Sequence, residues 1–456
     1  MAGEPEVAPV VAPEPVVVVD PLEPIVLPEL EYRQPVVEPD LLVRLRSGFA
    51  LDLDVDDPAV VRERDWYARN QAYLDRVFQR ADRYLFHIAG EIEQRGMPAE
   101  LALLPIVESA FDPFAYSHGR AAGLWQIIPG TGKRLGLEQD WWLDERRDVL
   151  EATRAALDYL EQLHEQFDGD WLLAVAGYNS GEGNVARALK KAAAAGRSQD
   201  FWGIKSYLPV ETRTYVPRLL AVAGLVADPA ASGVTLPPLA NKPHFDVVET
   251  GGQIDMALAA ELAGIDTAAL YELNAGVNRW ATRPDGPHRL LVPLERAEQF
   301  ETALAALGER ERVQWTRHRV KSGETVGGIA ERYQTTPAVL REVNSLRNNT
   351  IRAGDYLMIP HATQSLDRYT QSADARAART QSTPRNGERR EHVVQAGESL
   401  WSISRTYDVD VRRLASWNSM APGDVLSVGR SLVVWTEAPA QIAATTTVEA
   451  AVAHTD

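Results

Sequence analysis

The chain has 456 residues and a formal net charge of −17. That length accommodates several domains, and the acidic balance argues against nucleic acid as a partner, because such binders carry a basic footprint. Hydrophobic residues make up 45% of it, which fits globular material rather than a wholly disordered chain, and the lack of cysteine excludes a disulfide framework, a thiolate metal site and a cysteine nucleophile.

Residues 1–58 are rich in Pro, Val, Glu and Asp. Repeated prolines oppose helix and ladder formation, so the segment reads as an extended tether. Within it, Leu27, Leu30 and Tyr32 of "IVLPELEYR" are the residues able to dock on a neighbouring domain. The start "MAGEPEVAPVV" lacks the charged n-region and apolar core of a signal peptide. No apolar run is long enough to span a bilayer. The expectation is a cytoplasmic chain or one that has lost a targeting segment.

Residues 59–236 read as a mainly α domain. "WYARNQAYLDRVFQRADRYLFHIAGEIEQRG" spaces its apolar residues by three and four and ends at Gly96. Pro98 suits the first turn of a helix running through "AELALLPIVES", with Pro105 inside it as a kink. Further helices are expected near 147–167, 170–177, 183–195 and 210–227, and no strand run stands out before residue 230.

Beyond "LPPLANKP" the pattern turns to short units that mix β and α signals. Segments starting at Val320 and Val394 match at a constant offset of 74: Gly323/Gly397, Glu324/Glu398, Ile329/Ile403, Tyr333/Tyr407, Leu340/Leu414 and Asn344/Asn418. A gapless match of this kind marks a repeated strand–helix–helix–strand module, placed at 316–361 and 391–436. A degenerate copy is expected at 244–295, where Leu270 and Asn274 match at offset 70 and the glycine is displaced by one residue. Residues 362–390 are polar and Arg-rich and read as a flexible linker; residues 437–456 read as a disordered tail.

Four segments of the α domain carry the chemistry. Glu108 follows the apolar run Leu104–Val107 and precedes Ser109, Ala110 and Phe111. Burial raises a carboxyl's proton affinity, a defect in a core but an asset in a general acid. "GRAAGLWQIIPGTG" sets four glycines around Trp125 and Gln126, so backbone can approach a ligand closely. "VAGYNSGEG" places Tyr178 and Asn179 before glycines, and "PVETRTYVPRLL" places Glu211 and Tyr215 one helical turn apart. Each has a plainer reading: a solvated acid, a turn, a surface ion pair. "SGEG" lacks the strand and lysine of a phosphate loop. Asp112, next to Pro113, reads as a turn cap. The histidines are scattered without metal-ligand spacing, so neither a metal nor another cofactor is expected.

Taken together and in this order, "ESAFDP", "AAGLWQIIPGTG", "AGYNSGEG" and "ETRTYV" resemble the goose-lysozyme-like lytic transglycosylases. The two repeats, with "SGETVGGIA" and "AGESLWSIS", resemble LysM modules. The combination is most similar to the membrane-bound lytic murein transglycosylase D group. The resemblance implies a multidomain fold, a mainly α lysozyme-like catalytic domain followed by small α+β (βααβ) LysM modules. It implies cleavage of peptidoglycan with Glu108 as the single catalytic acid. Ser109, Gly123, Leu124, Trp125, Gln126, Tyr178, Asn179, Glu211 and Tyr215 are implied to bind substrate. The partners implied are peptidoglycan glycan strands, with N-acetylglucosamine oligomers held by the LysM modules, in the periplasm or cell envelope. Membrane attachment is not visible in the chain: the group includes lipid anchors on an N-terminal cysteine, which this sequence lacks. A cut after about Arg310 is expected to leave a folded catalytic unit. Two alternatives stay open: a goose-type lysozyme, with Glu211 or Glu182 positioning water, and a non-catalytic glycan-binding wall protein.

Overall fold

Asp40 begins the first helix: its carboxylate accepts from the Leu42 amide at 2.9 Å and caps α1 (Leu41–Ser47). The computed structural model describes residues 39–436 except Glu309, Arg310, Gln334, Thr336 and Ser427. Most of the N-terminal tract, with Leu27, Leu30 and Tyr32, and the tail 437–456 therefore lie outside the described residues.

The tether boundary at residue 58 needs correction. Leu41, Leu42 and Leu45 of α1 are buried in the main core, and Leu51, Leu53 and Val55 pack against it. The Glu100 carboxylate accepts from the Ala50 and Leu51 amides at 2.9 and 2.7 Å, fixing this strap to the domain. Proline spacing marked the tract as non-helical, but the leucine cluster at 41–45 supplies its own apolar face.

The expected long helical run is three helices, α2 (Pro58–Ala68), α3 (Gln71–Ala81) and α4 (Leu85–Gln94). The next segment is a 3-10 helix over Ala99–Leu103 followed by α5 (Leu104–Ser109), rather than one kinked helix. Pro105 falls in the first turn of α5, where no helical partner needs its missing N–H. Then follow α6 (Pro129–Arg134), α7 (Val149–Gln166), α8 (Trp171–Ser180), α9 (Glu182–Ala194), α10 (Phe201–Ile204) and α11 (Thr212–Ala227). Asp148 and Asp170 cap α7 and α8 through their carboxylates. Among the described residues of this domain, β pairing is limited to isolated bridges.

Three small modules follow, each a two-stranded antiparallel sheet with two helices. The first has β1 (Phe245–Glu249), α12 (Met256–Ala263), α13 (Thr267–Leu273) and β2 (Arg289–Pro293), extended by α14 (Leu294–Ala305). The second has β3 (Gln314–Arg319), α15 (Val326–Arg332), α16 (Pro337–Val343) and β4 (Tyr356–His361). After α17 (Ala373–Ser382), the third has β5 (Glu388–Val393), α18 (Leu400–Thr406), α19 (Val411–Trp417) and β6 (Ser431–Thr436). Equivalent registers pair Val247 with Leu291, Arg317 with Met358 and Glu391 with Val433.

One asparagine explains why the repeat survives in all three. The Asn274 amide donates to the carbonyls of Leu270 and Leu291 at 2.9 and 2.8 Å and accepts from the Leu291 amide at 2.9 Å. Asn344 does the same with Leu340 and Met358, and Asn418 with Leu414 and Val433. Each ties the end of the second helix to the last strand, satisfying groups that would otherwise be stranded in a small core. The second and third modules also share a histidine held between a glutamate and a tyrosine: His318 with Glu324 and Tyr333, His392 with Glu398 and Tyr407, at 2.8 and 3.1 Å in both.

Residues 362–390 are not the flexible linker that composition suggested. Tyr369 is buried and donates to Asp255 of the first module at 2.7 Å; the Thr363 amide reaches the same carboxylate at 2.9 Å. α17 then spans to the third module, where Gln381 donates to Asn418 at 2.9 Å. The Ala- and Arg-rich sequence of α17 is a good helix former, and polar contacts rather than an apolar stripe hold it, so hydropathy alone gave no sign. The first module also shares the apolar cluster of Trp142 and Leu143, joined by Val313, Val339 and Tyr369. A cut after Arg310 would remove those last three contacts.

Candidate active site

The helix carrying the candidate acid stops abruptly. Ala110 and Phe111 both adopt left-handed backbone, φ 52° and 55°, and the Phe111 amide closes back on the Pro105 carbonyl at 3.1 Å. Each such non-glycine residue costs about 1–2 kcal/mol, held here by the complete burial of Phe111. The turn leaves Glu108 and Ser109 partly exposed at the helix end. The Ser109 hydroxyl lies 2.9 Å from the Leu124 carbonyl, joining the helix end to the glycine-rich loop.

Glu108 receives a short hydrogen bond, 2.5 Å, from the Tyr215 hydroxyl on α11. Its carboxyl is raised to about 7, first by burial and then by the negative charge of Glu211; the Tyr215 hydrogen bond and Arg218 pull the other way. Desolvation therefore wins over one strong donor. Tyr178 and Tyr215 are held well above the usual phenol range, by burial and then by Glu108's charge, so both remain protonated donors. The Tyr178 hydroxyl donates to the Trp125 carbonyl at 2.8 Å. Asn179 accepts from Thr212 at 2.7 Å, locking the end of α8 to the start of α11. Glu211 is exposed at the N-terminal cap of α11. The four sequence segments are thus stitched together by hydrogen bonds around one carboxyl.

Three of the expected substrate-binding residues take different parts. The Trp125 ring is fully buried and its indole N–H donates to Thr153 at 3.0 Å. The Leu124 side chain is buried too. Both reach the site through their carbonyls, because the loop turns their side chains into the core. At Gly123, with φ +77°, an added Cβ would stand 2.1 Å from the Arg146 carbonyl oxygen. That glycine serves a close backbone approach to Arg146 within the protein. Gln126, also in left-handed backbone at φ 47°, bonds back to the Gly123 carbonyl at 2.9 Å.

Sequence reading passed over the residues that brace the loop. Arg146 donates to the carbonyls of Arg120 and Ile127, at 2.6 and 3.2 Å, while Asp144 pairs with it at 2.8 Å. The signal was the charged run "DERRD" just after the apolar "WWL", where solvated charge is out of place. Glu182 is held ionised: its own backbone amide, the Tyr159 hydroxyl and Arg134 keep it below the usual carboxylate range. Arg218, which lowers Glu108, is itself paired with Glu63 at 3.0 Å. Among the described residues, no cluster of three His, Asp or Glu could hold a metal, and no helix is long and apolar enough to cross a membrane.

Comparison with known proteins gives this site its context. Residues 87–201 match the family described as "Transglycosylase SLT domain", residues 244–309 "Lytic transglycosylase MltD, LysM-like domain", and residues 318–360 and 392–435 "LysM domain". The chain is similar to the membrane-bound lytic murein transglycosylase D of Escherichia coli, 38% identical over 397 residues covering 84% of each chain. It is 50% identical over 110 residues to a putative tributyltin chloride resistance protein of an Alteromonas species, covering 24% of this chain and 53% of the other. An inactive mutant of the lytic transglycosylase Slt from Pseudomonas aeruginosa is a solved relative at 27% identity, covering 34% of this chain and 25% of that one with a TM-score of 0.27, too low to bear on the fold. The near full-length match and the order of catalytic and LysM domains show that the chain belongs to the membrane-bound lytic murein transglycosylase D family, as a peptidoglycan lytic transglycosylase with LysM domains for wall binding.

Proposed function

We propose that Glu108 is the sole acid and base of a reaction that cleaves the β-1,4 bond between N-acetylmuramic acid and N-acetylglucosamine and leaves a 1,6-anhydro end. The observation that carries this is the raised carboxyl of Glu108 where the four segments meet, hydrogen-bonded by Tyr215, whose neighbouring carboxylate Glu211 is felt only through its charge. Glycosidases usually place two carboxylates across the bond, one as acid and one as nucleophile or base. Here the substrate supplies the second role. Glu108 protonates the leaving glycosidic oxygen as the C1–O bond breaks, and the acetamido oxygen of the muramic ring stabilises C1. The ring's own C6 oxygen then attacks C1, and its proton returns to Glu108. No water is consumed, and the acid is restored.

The expected product ends are lighter by one water than hydrolytic ends and resist borohydride. Mass analysis of digests of purified peptidoglycan before and after borohydride checks this. A majority of reducible muramic ends would favour the lysozyme alternative. Ser109, Gln126, Tyr178, Asn179, Glu211 and Tyr215 would hold the glycan strand; Gly123, Leu124 and Trp125 contribute through backbone.

The protonated form of Glu108 starts the reaction, so its pKa sets the alkaline limb. With the carboxyl of the free enzyme raised to about 7 by burial, kcat/KM should be level below that pH and fall about tenfold per unit above it. A pH profile on soluble glycan that stays level to pH 9 would contradict the assignment.

The LysM modules are read as holding N-acetylglucosamine oligomers, and the enzyme as working in the cell envelope. Linked weak sites raise the effective concentration at a polymer by mass action. A chain ending at Ser382 keeps the Tyr369 anchor and loses the third module. It should turn over soluble glycan normally and sediment about tenfold less well with insoluble peptidoglycan, by loss of avidity. Unchanged sedimentation would remove the third module from wall binding.

A further inference from the structure

A cleft of about 1130 Å³ lies between the loop 114–120 of the catalytic domain, α17 and the third LysM module. Seven arginines and four aspartates line it, with no lysine or glutamate, leaving three positive charges in excess (seven minus four). This is unexpected on a chain with a net charge of −17. Buried charge is ordinarily paired, and here part of it is not.

The aspartates are already engaged. Asp424 pairs with Arg120 at 2.8 Å and accepts from Tyr116 at 3.1 Å, clamping the third module to the catalytic loop. Asp374 pairs with Arg279 at 2.5 Å, Asp144 serves Arg146 and Arg147, and Asp112 accepts from the Phe114 amide at 2.9 Å. What remains is under-neutralised. Among the described residues, the Arg430 side chain has no hydrogen bond or ion pair; burial lowers its pKa against attraction from Asp374 and Asp424. The Arg376 guanidinium, 4.6 Å over the Phe114 ring, donates among the described residues only to the Gln371 carbonyl. Its pKa is lowered to about 9, first by burial and then by repulsion from Arg147. Arg147 Nε is buried without a partner.

We propose that this cleft binds a carboxylate-bearing peptide, of the kind that branches from the muramic acid units of the wall polymer. The ligand class rests on the peptidoglycan reading above. Planar guanidiniums pair carboxylates bidentately, and those of Arg376 and Arg430 stand on different elements, suiting a ligand with several separated carboxylates. Phe114, Met420 and Val425 in the same wall suit the apolar stem of a peptide better than a mineral anion. Gln126, beside the catalytic acid's loop, lies 3.4 Å from the carbonyl of Ala115, a cleft-lining residue, so a strand in the site would present its peptides here. The cleft exists only with the third module docked, so bound peptide would also hold that module against the catalytic domain.

The test uses the full chain carrying Glu108→Gln, to prevent turnover. Sugar-free peptide, released from purified peptidoglycan by an amidase, is titrated calorimetrically. Saturable binding should weaken with added salt and by at least about tenfold when the peptide carboxylates are amidated, since charge-assisted pairs supply the affinity. Adding Arg376→Gln and Arg430→Gln should weaken it comparably while thermal melting stays unchanged. No binding, or affinity indifferent to amidation, overturns the proposal without relying on any substitution. Parallel assays use the wild-type chain on peptide-free glycan. Normal cleavage with no peptide binding would overturn this inference alone, whereas peptide binding without cleavage of any strand would count against the enzymatic reading.

Discussion

Glu108→Gln should bind wall glycan as the parent does and cleave it at least about 10³ times more slowly. A positioned general acid contributes about 10²–10⁴-fold, and here one group serves both half-reactions. Glutamine keeps the shape and the acceptor oxygen for Tyr215, 2.5 Å away, but carries no transferable proton. Turnover within tenfold of the parent would sink the assignment. The same substitution has a readout separate from catalysis. The folded carboxyl sits at about 7, raised by burial, against about 4.3 in an unfolded chain. Its contribution to stability is therefore fully present below about pH 4 and lost as pH rises through 7. The melting temperature of the glutamine variant should gain on that of the parent between pH 5 and 8. A difference independent of pH would show that Glu108 is not desolvated.

Gly123→Ala should lower the melting temperature sharply and take activity with it. The backbone there has φ +77°, and the new Cβ would stand 2.1 Å from the Arg146 oxygen and 3.1 Å from the Arg147 Cα. Left-handed backbone costs a non-glycine residue about 1–2 kcal/mol. The clash adds to that cost, because the obstructing atoms are backbone and cannot rotate away. Arg146 itself is fixed by Asp144 and by the carbonyls of Arg120 and Ile127. A total of about 3 kcal/mol or more corresponds to roughly 6–12 °C for a domain of this size. A melting temperature within about 2 °C of the parent would show that the loop relaxes freely.

The sequence by itself determined the parts whose signal is local. The acid among apolar neighbours at Glu108, the order of the four motif segments and the repeats at Asn344 and Asn418 lie in short stretches or at one fixed offset. Asn274 revealed the degenerate copy for the same reason: each asparagine bonds to a leucine four residues before it and to the last strand of its own module. Tertiary structure decided whatever depends on which distant surfaces meet. Tyr215 reaches Glu108 across 107 positions, and no spacing rule links residues so far apart. Trp125 appeared suited to a sugar, but its partner Thr153 lies on α7 and turns the ring inward. Gly123 reads in the sequence only as room for close approach; the fold fills that room with the Arg146 carbonyl. The segment 362–390 reads as linker because it lacks an apolar face; its anchors are Asp255 in the first module and Asn418 in the third. Periodicity reports which face a segment buries, whereas hydrogen bonds and charges are satisfied by whatever the fold brings near, and that is fixed only when the helices have packed.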